Sequence, residues 1–135
     1  MILVIFSVGA LTSGGCRDGQ NSSDKAFVQV QNGEDIGLYK NRLIRIQGRL
    51  NAIPWQHLIN IPERYPVVDY LDIEGRAQIV IYTKSKIPCS GPLIVEGKVV
   101  ELTGTSKRPG SNEKVVEYQI FVDRWICQSG ADRKE

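Results

Sequence analysis

NRLIRIQGRLNAI (residues 41–53) alternates apolar and polar residues with a period of two. Ile44, Ile46 and Leu50 fall on one side, and Arg45, Gln47 and Arg49 on the other. A helix would repeat its apolar residues every three to four positions, so this stretch reads as a strand with one face in a core. Gly48 interrupts the apolar side. Mid-strand glycine weakens a strand, and its usual role is a bulge or a sharp bend at a barrel corner. Working outward, VVDYLDIEG (67–75) puts Val67, Leu71 and Ile73 on one face, and AQIVIYTK (77–84) is apolar enough for a central strand. PLIVEGKVVEL (92–102) carries a second interior glycine, Gly97. VVEYQIFVDRWIC (115–127) turns Val116, Tyr118, Ile120 and Val122 inward. IEGR, PCSGP and KRPGSN supply turn chemistry between these runs. GEDIGLYKN (33–41) reads as one short helical turn leading into the first strand.

The whole chain has 135 residues, of which 41% are hydrophobic and 24% charged. That suits one domain of modest core with short tails. Lys+Arg 17 against Asp+Glu 15 leaves a net charge of +2. Proteins that live on phosphate contacts carry a larger, clustered positive excess, so charge lends nucleic-acid binding no support.

MILVIFSVGALT (1–12) is the only long apolar run. A bilayer-crossing helix needs about 20 apolar residues, and this run suits the h-region of a secretory signal instead. No Lys or Arg precedes it, which leaves a weak signal or a start further upstream. Small residues follow, in LTSGGC (11–16), and they resemble the lipobox of bacterial lipoproteins, although Ser13 stands where that motif most often has Leu. The resemblance implies cleavage before Cys16 and a diacylglyceryl group on its thiol. Two or more acyl chains, at ~0.8 kcal/mol per buried methylene, would hold the chain on a membrane. A plain cleaved signal and an uncleaved buried segment are the other readings. The expected organisation is a signal at 1–15, a flexible tether at 16–26, a domain at 27–127 and a disordered tail at 128–135.

Five strands with long, bent first and fourth members imply an all-β chain, a five-stranded Greek-key barrel of the OB-fold kind with at most a short helix before the first strand. YKNRLIRIQGRL, QIVIYTK, LIVEGKVVELTGTSKRPGS and EYQIFVDRW resemble OB-fold domains of the bacterial tRNA-anti-like type, which include short exported lipoproteins. The resemblance covers about residues 38–127. SKIPCSGP replaces the family's helix between strands three and four, and Pro88 and Pro92 reduce it to a turn or nothing. In that fold the third and fifth strands lie parallel, so Cys89 and Cys127 would emerge at the same end. With Cys16 acylated, these two remain, and an extracytoplasmic compartment permits them to pair. The bridge would contribute roughly 4 kcal/mol through chain entropy. Two separate buried thiols are the alternative.

Ligands of OB-folds meet the face of strands two and three, flanked by the loops after strands one and four. Here those loops are IPWQHLINIPERYP (53–66) and TSKRPGSNEK (105–114). The resemblance therefore marks Trp55, Arg64, Tyr65, Tyr82, Lys107 and Arg108 as candidate ligand contacts. The structural reading of the same residues has Trp55 and Tyr65 covering the open end and Lys107 and Arg108 forming a solvated hairpin tip. His57, the only histidine, reads as a surface or loop-packing residue, because no thiolate or carboxylate nearby in sequence completes a metal site. Asp69, Asp72 and Glu74 read as a hydrated strand edge. No nucleophile, base and orienting acid converge in sequence, so neither an enzyme nor a cofactor is expected. The expectation is a non-catalytic, membrane-tethered extracytoplasmic module for a protein, peptide or glycan. Single-stranded nucleic-acid binding is the alternative.

Overall fold

The alternation of residues 41–53 ends in a closed circuit of strands. The computed structural model describes residues 26–31, 35–74, 77–106 and 108–128. Six strands form one mixed sheet: β1 (Val28–Gln29), β2 (Leu43–Asn51), β3 (Val67–Ile73), β4 (Ala77–Thr83), β5 (Pro92–Thr105) and β6 (Lys114–Cys127). Strands β2, β3, β4, β6 and β5 hydrogen-bond in that order, and β5 returns to β2 to close the ring. Among these pairs β4 and β6 run parallel and the others antiparallel. The expected signal segment, Cys16 and its anchor, Lys107 and the residues after 128 lie outside the described residues.

Five strands stand where the sequence pattern puts them. β1 was not expected: it lies parallel to β2, pairing Val28 with Ile44 and Gln29 with Arg45. Two residues with no alternation carry too little pattern to read. The expected helical turn is a single 3-10 turn, Ile36–Tyr39, capped by Asp35, whose Oδ1 accepts from the Gly37 N–H at 2.8 Å.

The ring packs around Ile44, Ile46, Leu71, Ile79, Ile81, Leu93, Val95, Val99, Ile120 and Val122, all buried. Each such side chain contributes about 1.5–3 kcal/mol on leaving water. The two interior glycines serve different ends. At Gly97 the β5–β6 register shifts, with the extra residue, Asp123, on β6 rather than in the glycine's own strand, and a Cβ on Gly97 would press on the Phe121 carbonyl and lie 2.9 Å from Ile120 Cγ2. Gly48 makes no register shift. It sits where β2 passes from β5 to β3, and a Cβ would lie 2.6 Å from the Asp72 carbonyl oxygen.

Strands β5 and β6 are longer than the ring needs. β5 pairs with β2 only up to Lys98, and β6 pairs with β4 only at Ile120 and Phe121. The distal residues, 100–105 and 114–119, leave the ring as a two-stranded ribbon turning at Gly110 (φ 78°). Val116 is therefore exposed, although it continues the inward row of Ile120 and Val122. At the other end of β6 the structure brings Cys127 and Cys89 to bonding distance, with Cα atoms 5.4 Å apart.

On the outer face of β2, β5 and β6 a buried carboxylate is pinned across strands. Glu96 accepts from Arg45 Nε and Arg124 Nε, each at 2.6 Å. Hydrogen bonding from Arg124, reinforced by Arg45, holds its carboxyl below the usual carboxylate range against the opposing pull of burial.

Candidate functional site

The face of β3, β4 and β6, where the fold resemblance expects a ligand, carries the chain's own β2–β3 loop. Residues 52–61 hold neither Asp, Glu, Lys nor Arg. Polar side chains rising from the sheet hold this segment by its backbone. Gln78 Oε1 accepts from the Trp55 N–H at 2.7 Å, and its Nε2 donates to the Ile53 carbonyl and to Asp72 Oδ1, both at 2.9 Å. Glu117 accepts from the Leu58 N–H, and Gln119 Nε2 donates to the Leu58 carbonyl. Tyr82 Oη accepts from the Asn60 N–H at 2.8 Å. Gln78, Tyr82 and Gln119 are buried, so each bond replaces water that the loop has displaced. Burial pushes the Tyr82 phenol above its ordinary pKa.

His57 sits where β4 and β6 part. Its Nδ1 contacts Glu117 of β6 and its Nε2 lies 3.1 Å from Gln78 Oε1 of β4, so both ring nitrogens face acceptor oxygens. The His57 ring also stacks on Tyr70 with centroids 5.9 Å apart. Further along, Tyr65 stacks on Phe121 at 5.0 Å, and Phe121 meets the Tyr82 ring edge-on at 5.5 Å.

With its backbone clamped inward, the loop turns large apolar side chains outward. Ile53 is 72% exposed, Trp55 65%, Ile59 51% and Ile61 62%. Single exposed hydrophobics are ordinary, whereas four on nine consecutive residues form a patch of the kind that marks an interaction surface. Beside the patch a cleft of ≈ 430 Å³ separates the loop from the β5–β6 ribbon. Gln56, His57 and Leu58 line one wall; Ser106, Arg108, Glu113, Val115 and Glu117 are among the residues of the other.

The structure thus divides the expected contacts. Trp55 is exposed on the patch, Arg108 lines the cleft, and Arg64 is exposed beyond the loop's apolar stretch. Tyr65 stacks on Phe121 of β6, and Lys84 Nζ lies 6.0 Å above its ring. Tyr82 is fully buried beneath the loop and touches the site only through its hydroxyl. Trp55 covers no open end. Of the acidic trio Glu74 is exposed, but β3 is paired with β2 and β4 and so is no edge. Asp72 takes hydrogen bonds from Asn51 and Gln78, while Asp69 is half-buried, with Oδ2 unpartnered and its pKa raised by burial. Sequence distance hid the partner of His57, because Glu117 lies 60 residues away. Gln78 and Gln119 were also missed. Each is a lone amide inside an apolar strand, and that is the available signal: a buried amide requires a partner.

Ser106, His57 and Glu117 line the same cleft, and the Ser106 hydroxyl accepts from the Arg108 N–H at 3.3 Å. Among the described residues no group of three or more His, Cys, Asp or Glu is placed to hold a metal ion. Comparison with family models, with curated proteins and with solved structures found no match to this chain.

Proposed function

We propose that this chain is a non-catalytic OB-fold binding module, a small Greek-key barrel anchored through a lipid on Cys16 to the extracytoplasmic side of a bacterial membrane. The strand order of the ring and its one parallel ring pair, β4 with β6, support the OB reading, with β1 as an addition to it. The apolar run 1–12, followed by small residues before Cys16, supports export and anchoring. The observation that carries the binding role is the clamped loop. Its outward row of Ile53, Trp55, Ile59 and Ile61 is held in place before any partner arrives. A surface ordered in advance loses little entropy on binding, which favours a protein or peptide ligand, with a glycan stacked on Trp55 as the polar variant.

Single-stranded nucleic acid is the second reading, and exposed Trp55 with nearby Arg64 is what favours it. Tyr70 and Tyr82, the other stacking candidates, lie under the loop. Intact mass spectrometry of protein taken from its native membrane tests the anchoring reading: the expected mass lacks residues 1–15 and includes acyl chains. Recovery of an unacylated chain beginning at Met1 from the cell interior overturns it. A salt-sensitive mobility shift with single-stranded oligonucleotides would bring the second reading forward.

A further inference from the structure

The cleft has one wall whose chemistry names its occupant. Strand β6 is paired on both sides only where it joins the ring. From residue 114 to residue 119 its single strand partner among the described residues is β5. Continuing the parallel register from Ile81↔Ile120 would bring β4 alongside, but His57 stands between Gln78 and Glu117 and holds the two strands apart. Side chains of Glu117 and Gln119 are spent on Leu58, so the stretch left open is 114–116, continuing toward the tip at Glu113. An unpaired strand edge presents a row of backbone donors and acceptors, and the group that satisfies such a row in register is another extended chain. Proteins blunt exposed edges with proline or an inward-pointing charge. Here the edge carries adjacent β-branched residues, Val115 at 37% and Val116 at 49% exposed, inside a cleft that also holds Leu58.

We infer that the open edge of β6 at 114–116 is a strand-addition site for an extended peptide from another protein. One row of its side chains would pack on Leu58 and Val115, and its far end would lie by Arg108. The inference rests on the binding-module reading and names its ligand class. The cleft then supplies backbone pairing, and the outward loop row supplies an apolar margin.

The test pans a random linear twelve-residue peptide library against the purified full-length chain. Binding of enriched peptides is then measured to wild type, Val116→Lys, Val115→Lys and Trp55→Ala. The expected result is enriched peptides with alternating apolar residues. Either lysine variant should weaken them roughly tenfold or more, since a charge replaces an apolar contact at a blunted edge, and they should slow amide exchange at 114–116. Circular dichroism showing the wild-type fold in both lysine variants keeps the comparison valid; if one fails to fold, the other and the exchange data decide. Peptides that lose affinity with Trp55→Ala but not with either lysine variant overturn the edge and leave the loop as the binding surface. A library without enrichment overturns the edge also, as does an edge occupied by a second copy, seen as a dimer that Val116→Lys dissociates. Neither of these last outcomes touches the membrane-anchoring reading.

Discussion

The ring finishes its two outer flanks in opposite ways. On β2, β5 and β6 the polar groups settle their accounts across neighbouring strands: Arg45 and Glu96 are register partners, and so are Glu96 and Arg124. On β3, β4 and β6 the polar groups reach off the sheet to a loop, and Gln78, Tyr82, Glu117 and Gln119 each bond residues within 53–60. The first flank needs only the sheet to be complete. The second is complete only when the loop lies down, and by lying down the loop presents its apolar side to solvent. Stability belongs to the first flank, and the candidate site to the second.

Breaking the Cys89–Cys127 link should have the largest effect, because it ties β4 to β6 at a seam only two register pairs wide. Cys89→Ser is expected to cost about 2–4 kcal/mol and lower Tm by roughly 10 °C or more. Equal melting temperatures for variant and wild type would show that the thiols are not bonded. Next comes the charged flank. Glu96→Gln should cost about 1–3 kcal/mol at neutral pH by removing a charge from two arginine bonds. Its pH dependence has a definite sign. The fold lowers the Glu96 pKa, so its stabilisation is complete above the ordinary carboxylate value and is lost as pH falls toward the lowered one. Denaturant titrations between pH 6 and 3, roughly the window spanning ordinary carboxylate pKa values, should therefore show a shallower acid limb for Glu96→Gln than for wild type. An identical limb refutes the pairing.

On the covered flank, Tyr82→Phe removes the acceptor of the Asn60 N–H and should cost about 1 kcal/mol, with faster amide exchange confined to the loop. If exchange rises throughout the ring instead, loop and sheet are one cooperative unit and the contrast between flanks fails. Trp55→Ala should be the smallest, within about 0.5 kcal/mol of wild type, since a side chain 65% exposed contributes little to stability. A larger loss in melting experiments would place Trp55 in the fold rather than in the site.

Much of the ring was legible because its information is local. QIVIYT reads as a central strand, and both its faces are buried, Ile79 and Ile81 in the core and Val80 and Tyr82 away from it. Gly97 marks the register shift between β5 and β6, whose extra residue, Asp123, lies on the partner strand. The site was legible only as a pair of loops. Nothing local to Gln78 says that it will hold the Trp55 and Ile53 backbone, and nothing near His57 points to a carboxylate beyond three further strands. The acidic strand β3 misleads for the same reason, since Asp72 is satisfied by Asn51 and Gln78 from neighbouring strands.

Amino-acid order alone determined five strands, the inward rows that fill the ring, the turn before β2 and an apolar loop without charge, because alternation, turn residues and composition act over a few neighbouring positions. Tertiary structure decided which way that loop faces, which polar groups it satisfies, and that β6 is left half-paired where β4 turns aside. Those outcomes are set by hydrogen bonds between residues tens of positions apart, and such bonds are chosen by what burial leaves unsatisfied.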